Sequence, residues 1–107
     1  MLRIYSTILS TIGSLRPVLR AIERHDRDLA RQLRRAASSV ALNVAEGQYS
    51  RGQNKTARFH TALGSARETL ACVEVAVALG YLREVDASLI DALDHIIGTL
   101  VRLVGRG

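Results

Sequence analysis

Apolar residues recur every three or four positions along most of the chain, which is the period of one buried face on an α-helix. The first such stretch predicts a helix from about Leu2 to Arg24. Gly13 and Pro17 lie inside it, and a proline removes a backbone hydrogen bond and crowds the preceding turn. A kink or a complete break is therefore expected there. The apolar positions of this helix are Ile4, Ile8, Ile12, Leu15, Leu19 and Ile22.

A second helix is predicted to begin at a cap formed by Asp26 or a neighbouring residue. Gly47 is placed to end it, because the residue after a helix often takes the left-handed backbone that glycine favours. The following stretch, GQYSRGQN at residues 47–54, has the composition of a loop. The apolar positions of this helix are Leu29, Leu33, Ala36, Ala37, Val40, Ala41 and Val44.

A third helix is predicted from about Lys55 to Leu79, with Gly80 ending it. Asp86 is a suitable N-cap for a fourth helix that runs to about Val104. The third helix has apolar residues at alternating spacings of four and three, which is the seam of a bundle or coiled coil. Its seam consists of Phe59, Leu63, Ala66, Leu70, Val73 and Val77.

The fourth helix and the end of the third carry more apolar surface than one contact within a bundle normally covers. This excess predicts burial against another subunit, although a compact monomer whose helices surround this surface is the alternative. On the fourth helix one stripe is Leu89, Leu93, Ile96, Leu100 and Leu103, and a neighbouring stripe is Ile90, Ile97, Val101 and Val104.

Four helices joined by short connections predict an all-α protein, an antiparallel up-down-up-down four-helix bundle, with residues 1–107 as one domain. A chain of 107 residues is long enough for a hydrophobic core. Cys72 is its only cysteine, so neither an internal disulfide nor a cysteine-based zinc site can form, and we expect a small buried residue there. The longest apolar run, residues 70–82, is short for a bilayer span and contains Glu74, so a cytoplasmic protein without a membrane segment is expected.

Charge is distributed unevenly along the chain. Residues 1–58 carry eleven basic and four acidic side chains, a net charge of +7, whereas residues 59–107 carry four basic and six acidic side chains, a net charge of −2. A concentrated positive field favours an anionic partner such as nucleic acid, and a merely solvated basic face is the alternative.

Arginines of the second helix fall on one arc, opposite its apolar stripe, and further basic residues flank it. The planar fork of arginine matches phosphate oxygens, so this arc suits the backbone of RNA or DNA. Tyr49 could stack on an unpaired base. Because no compact base-reading motif accompanies the arc, recognition by charge and shape is expected. The candidate nucleic-acid-binding residues are Arg20, Arg24, Arg27, Arg31, Arg34, Arg35, Tyr49, Arg51, Lys55 and Arg58.

Small residues in the second and third helices predict a tight seam between them. If the loop near residue 50 joins an antiparallel pair, then the stretch Gly64, Ser65 and Ala66 faces the stretch Ala36, Ala37 and Ser39. The same construction places certain charged residues level with each other. Its predicted ion pairs are Glu68 with Arg31 or Arg35, and Glu46 with Lys55 or Arg58, while Asn43 and Glu46 have hydrogen bonds to the loop or helix end as an alternative.

No residue pattern points to catalysis. Diiron bundles use Glu-x-x-His pairs on facing helices, and the chain contains none. Asp91 and His95 share a helical face but are typical, with Asp94, of solvated polar residues. His25 and His60 have no evident ligand companions, and no phosphate-binding glycine loop occurs. We therefore expect a protein that is not an enzyme and has no metal or cofactor.

The stretch QLRRAASSVALNVAEG at residues 32–47, with the later runs GSARE and LGY, closely resembles the four-helix-bundle family of 23S rRNA-intervening sequence proteins. That family includes the accessory variability determinants of diversity-generating retroelements. The resemblance covers residues 25–82 by motif and the whole chain by helix pattern. The matching positions are Arg34, Arg35, Ala36, Ala37, Asn43, Ala45, Glu46, Gly47, Arg51, Phe59, Gly64, Ser65, Glu68, Gly80 and Tyr81.

The resemblance implies a bundle that assembles into a barrel-like homopentamer with a basic surface and no known catalytic activity. The retroelement members are understood to bind a reverse transcriptase and nucleic acid. Two functions follow as hypotheses: an oligomeric nucleic-acid-binding protein, or a pentameric scaffold that binds a protein partner such as a reverse transcriptase. Salt-sensitive RNA binding would separate them, because phosphate contacts weaken steeply as salt rises.

Overall fold

The computed structural model describes residues 3–105, which form helices and no strand. The all-α class predicted from the sequence is confirmed. Two short helices occupy the stretch that was predicted as the first helix, and three long helices follow them. The elements are α1 (Arg3–Ser14), α2 (Arg16–Glu23), α3 (Arg27–Tyr49), α4 (Gly52–Ala78) and α5 (Ala87–Gly105).

The first predicted helix is divided in two at Leu15, so of the two expectations, a kink or a break, the break is confirmed. The Leu15 amide donates to the carbonyls of Thr11 and Ile12, at 3.1 and 3.0 Å, and the Leu15 carbonyl accepts from Leu19 at 2.8 Å. Pro17 then falls in the first turn of α2. Proline is tolerated there because amides of the first turn have no partner within the helix.

The start of α3 agrees with the prediction, but its end does not. Asp26 is the N-cap, and its Oδ1 accepts a hydrogen bond from the Leu29 amide at 2.9 Å. Gly47 lies inside α3, so the prediction that it ends the helix was wrong. The loop predicted at residues 47–54 is therefore only two residues long in the structure, Ser50 and Arg51. A left-handed backbone occurs instead at Gly52, where φ is +59° and α4 begins.

The reason for a glycine at position 47 is packing against Phe59 of α4. A Cβ atom at Gly47 would lie 2.5 Å from Cε1 of the Phe59 ring, well inside van der Waals contact. The Phe59 residue is only 2% exposed. The missing side chain therefore provides the space in which the ring is buried.

The end of α4 and the start of α5 follow the sequence signals. Gly80 adopts a left-handed backbone with φ of +80°, and the next amide, that of Tyr81, donates to the Ala76 carbonyl at 2.9 Å. Asp86 then accepts hydrogen bonds at Oδ1 from the amide and the hydroxyl of Ser88, both at 2.9 Å. These bonds favour the charged carboxylate and lower the pKa of Asp86.

The buried residues form two clusters along the molecule. One combines α1, α3, α4 and α5, and includes Ile8, Val44 and Leu100. The other lies around Ile22 of α2 and Leu33 of α3. Most of the predicted apolar stripes contribute to these clusters, but Val77 is 40% exposed and Leu70 is half-buried. On α4 the buried face contains four positions outside the predicted seam, Ala62, Thr69, Cys72 and Ala76.

Hydrogen bonds between side chains connect α3 to α4, and three of them show how the two helices align. As the residue number rises along α3, the number of its partner on α4 falls. The shortest bond, at 2.7 Å, joins the hydroxyls of Ser39 and Ser65 within the predicted seam. Gly64 is exposed with open space around it, so its predicted place in the seam was wrong. The three pairs are Gln32 with Glu68, Ser39 with Ser65, and Asn43 with Arg58.

Gly47→Ala is expected to destabilise the protein by about 1–3 kcal/mol, because the added methyl group must displace a buried ring. Chemical denaturation measures this loss. Gly13→Ala is the matched control, since open space surrounds Gly13 in α1. It should leave stability unchanged or raise it by about 0.5–1 kcal/mol. Equal effects of the two changes would contradict the packing role of Gly47.

Asp86→Ala is expected to lower the melting temperature at neutral pH by removing the cap of α5. Because the folded-state pKa of Asp86 is lowered, its stabilising contribution is present above the unfolded-state pKa. That contribution is lost as the pH falls through the folded-state value. The gap in melting temperature between the variant and the unaltered protein should therefore narrow below about pH 4. Asp94→Ala, an exposed change further along α5, is the control and should lower the melting temperature at neutral pH much less, because it lies away from the start of the helix.

Candidate nucleic-acid interface

The ten residues predicted to bind nucleic acid are all exposed. They lie in two groups. The first, called the arginine face from here on, spans the end of α2 and the first half of α3 and consists of Arg20, Arg24, Arg27, Arg31, Arg34 and Arg35. The second surrounds the connection between α3 and α4 and consists of Tyr49, Arg51, Lys55 and Arg58.

Two members of the arginine face have acidic neighbours. Arg31 lies 3.8 Å from Asp28, one turn earlier on α3. Arg34 lies 3.5 Å from Glu23 at the end of α2, so this pair joins two helices. Both pairs are solvent-exposed, and such pairs contribute little stability. The guanidinium groups therefore remain accessible to an anion.

The remaining members of the arginine face have no acidic partner among residues 3–105. Arg20, Arg24, Arg27 and Arg35 are exposed, and no carboxylate within that range lies within 4 Å of them. An uncompensated guanidinium is the group that phosphate attracts most strongly, because its planar fork can donate two parallel hydrogen bonds.

The group at the α3–α4 connection presents an aromatic ring beside positive charges. Tyr49 is 85% exposed. Lys55 has its Nζ atom 5.9 Å from the centroid of the Phe59 ring. The ion pairs predicted for Glu46 with Lys55 or Arg58 are absent from the described residues. Arg58 instead donates to Oδ1 of Asn43 at 3.3 Å.

Asn43 is held from both sides. Its Nδ2 atom donates to the carbonyl and the hydroxyl of Ser39, at 2.9 and 3.1 Å, while its Oδ1 atom accepts from Arg58. The predicted bonds from Asn43 to the loop or helix end are therefore replaced by bonds to its own helix and to α4. This arrangement fixes one arginine of the second group against α3.

A polar groove lies between α3 and α4, beside the arginine face. Its volume is about 470 Å³, and Arg31 and Arg35 line its α3 side. Glu68 lines the α4 side, but its predicted ion pair with either arginine is absent between residues 3 and 105. Gln32 takes that place, with its Nε2 atom donating to Oε2 of Glu68 at 3.3 Å. Sequence reasoning missed Gln32, because only charged residues were paired.

Tyr81 anchors the connection between α4 and α5 to the start of α3. Its ring stacks on His25 with centroids 5.2 Å apart and an interplanar angle of 4°. Its hydroxyl donates to Oδ2 of Asp26 at 3.3 Å. Partial burial, followed by the charge of Asp26, raises the pKa of Tyr81. Asp26 thus caps α3 with one oxygen and holds Tyr81 with the other.

The residues considered for catalysis or metal binding lie outside the two groups of candidate nucleic-acid-binding residues. Asp91, Asp94 and His95 are exposed on α5, and the described part of the chain holds no cluster of three or more residues suited to a metal ion. Cys72 is buried as expected, and burial, followed by the charge of Glu68, raises the pKa of its thiol. Between residues 3 and 105 no helix has both the length and the apolar character needed to cross a membrane.

Comparison with known proteins places these features in a family. The model of the 23S rRNA-intervening sequence protein family matches residues 16–102, which include the arginine face and the groove. Searches of curated proteins and of solved structures found no match. Because the matched segment is most of the chain, this protein belongs to the 23S rRNA-intervening sequence protein family.

Proposed function

We propose that this protein is a non-enzymatic, oligomeric nucleic-acid-binding protein that uses its arginine face to hold the phosphate backbone of RNA or DNA. The observation that carries the proposal is the set of exposed arginines without acidic partners among the described residues: Arg20, Arg24, Arg27 and Arg35. A folded protein gains little stability from such residues, whereas a polyanion gains several charge-assisted hydrogen bonds from them.

The group at the α3–α4 connection supports the same function. Arg51, Lys55 and Arg58 extend the positive charge, and the exposed ring of Tyr49 is free to stack on an unpaired base. Stacking on an aromatic side chain suits single strands, because every base has a flat face. The proposed ligand is held by charge and stacking, and the chemistry requires no metal or cofactor.

Replacing Arg31, Arg34 and Arg35 together by Gln is expected to weaken RNA binding by at least about tenfold at moderate salt, because three phosphate contacts are lost. Fluorescence anisotropy of a labelled single-stranded RNA measures the loss. The plot of log affinity against log salt concentration should also become shallower by about two.

The control variant replaces Arg3, Arg83 and Arg102 by Gln, which changes the net charge equally at exposed positions outside the arginine face. It should lose much less affinity. Equal losses of RNA affinity in the two variants would mean that binding depends on net charge alone and not on the arginine face. Failure of the unaltered protein to bind RNA or DNA at low salt would refute the proposed function.

A second candidate function, a homopentameric scaffold for a protein partner such as a reverse transcriptase, has its own supporting observation. Apolar side chains at the end of α4 and on α5 are exposed: Val75, Val77, Leu79 and Val101. Such a surface suits contact with another subunit. Along α3 the residue numbers rise while those of the hydrogen-bonding partners on α4 fall, which supports an antiparallel up-down-up-down bundle. Such a bundle would present this apolar surface outward. In both candidates the protein acts in the cytoplasm.

Light scattering on the intact protein tests the assembly, with a mass of five chains as the expected result. Val77→Asp is expected to reduce that mass, because it places a charge in the proposed contact. Ala57→Asp, at an exposed position near the polar start of α4, is the control and should leave the mass unchanged. A monomeric unaltered protein would contradict the pentamer and the scaffold together.

A further inference from the structure

The groove between α3 and α4 contains groups that a surface for phosphate alone does not need. Its volume of about 470 Å³ falls in the range of small-ligand sites. Arginines on its α3 side can bind phosphate. Two carboxylates also line it: Asp28, which pairs with Arg31 on the α3 side, and Glu68 on the opposite side. Their negative charge opposes the binding of any polyanion.

Glu68 does not pair with the arginines of the groove. It forms no ion pair with Arg31 or Arg35, although all three line the same groove. Its partner in the described part of the chain is the amide of Gln32, at 3.3 Å. A carboxylate can accept about four hydrogen bonds, so most of its capacity stays open to a ligand.

Gln32 and Glu68 together present a donor beside two acceptor oxygens. The Nε2 atom of Gln32 carries two hydrogens, only one of which the bond to Glu68 uses. The two side chains come from different helices, and both are exposed at the groove. A planar ligand edge that offers an acceptor followed by two donors would match this row of groups.

Among the four RNA bases, guanine has that edge. Its O6 accepts one hydrogen bond, and its N1–H and N2–H₂ groups donate side by side to a carboxylate. Uracil has one donor between two acceptors, while adenine and cytosine each have a single amino donor beside a ring acceptor. The edge is available only in an unpaired base, which is where sequence-specific RNA recognition occurs.

We propose that this groove binds an unpaired guanine of single-stranded RNA. Glu68 accepts from guanine N1–H and N2–H₂, Gln32 donates to O6, and Arg31 and Arg35 bind the neighbouring phosphates. The inference rests on the proposed nucleic-acid function and adds a base preference to it. Recognition in this groove would therefore be more selective than the recognition by charge and shape that the sequence predicts.

Binding of two labelled RNA strands tests the groove: a short oligouridine, and the same strand with one central guanosine. The unaltered protein should bind the guanosine strand about five- to tenfold more tightly, the low end of the range for a good bidentate base contact. Guanosine monophosphate should also compete better than uridine monophosphate for the bound strand.

Glu68→Gln should abolish this preference while leaving oligouridine affinity equal or higher, because it removes both a paired acceptor and a negative charge. Glu74→Gln is the matched control, an equal change of charge at another exposed position of α4. It should keep the preference. Replacing Arg31 and Arg35 by Gln should weaken binding of both strands and keep their ratio.

The outcomes separate this inference from the function on which it rests. Equal affinity of the unaltered protein for both strands would overturn the guanine site and leave phosphate binding intact. A preference that survives Glu68→Gln would overturn the assignment to this groove. Absence of binding to either strand at low salt would overturn the guanine site, and failure to bind DNA as well would refute the proposed function.

Discussion

The burial of the Phe59 ring against Gly47 determines how α3 and α4 pack. The ring lies against α3 where Gly47 has no side chain, and interiors packed at the density of organic crystals leave little freedom to shift such a contact. Once the ring is in place, the relative height of the two long helices is set. Their polar contacts then align in order, at Asn43 with Arg58, Ser39 with Ser65, and Gln32 with Glu68.

The start of α3 is fixed by a second set of contacts. Asp26 caps the helix with one carboxylate oxygen and accepts a hydrogen bond from Tyr81 with the other. Tyr81 also stacks on His25. The connection after α4 is thereby joined to the turn before α3, so the arginines of the first α3 turns project from a helix end that is held in place. A phosphate ligand would meet these side chains without having to order the backbone.

Two acidic residues near the arginine face each neutralise a single arginine and leave the others unpaired among the described residues. Asp28 and Glu23 each pair with one arginine, and in exposed positions such pairs orient side chains more than they stabilise the fold. Glu68 differs, because it faces a groove lined by arginines but contacts an amide. A negative charge in that position lowers the general attraction for a polyanion. In the proposed guanine site, the same charge would distinguish one base from the others.

Local signals in the sequence determined the helices of this protein. The spacing of apolar residues gave most of the buried faces. The caps at Asp26 and Asp86 gave the starts of α3 and α5, the glycine at position 80 gave the end of α4, and Pro17 marked the break, because each acts within a turn or two of its own position. The exposure of the arginines followed from the same periodicity. Only the tertiary structure showed that Gly47 leaves space for the Phe59 ring and that Glu68 accepts its hydrogen bond from Gln32. Those contacts depend on the relative height of two helices, since a shift of one turn would bring a different side chain within hydrogen-bonding distance.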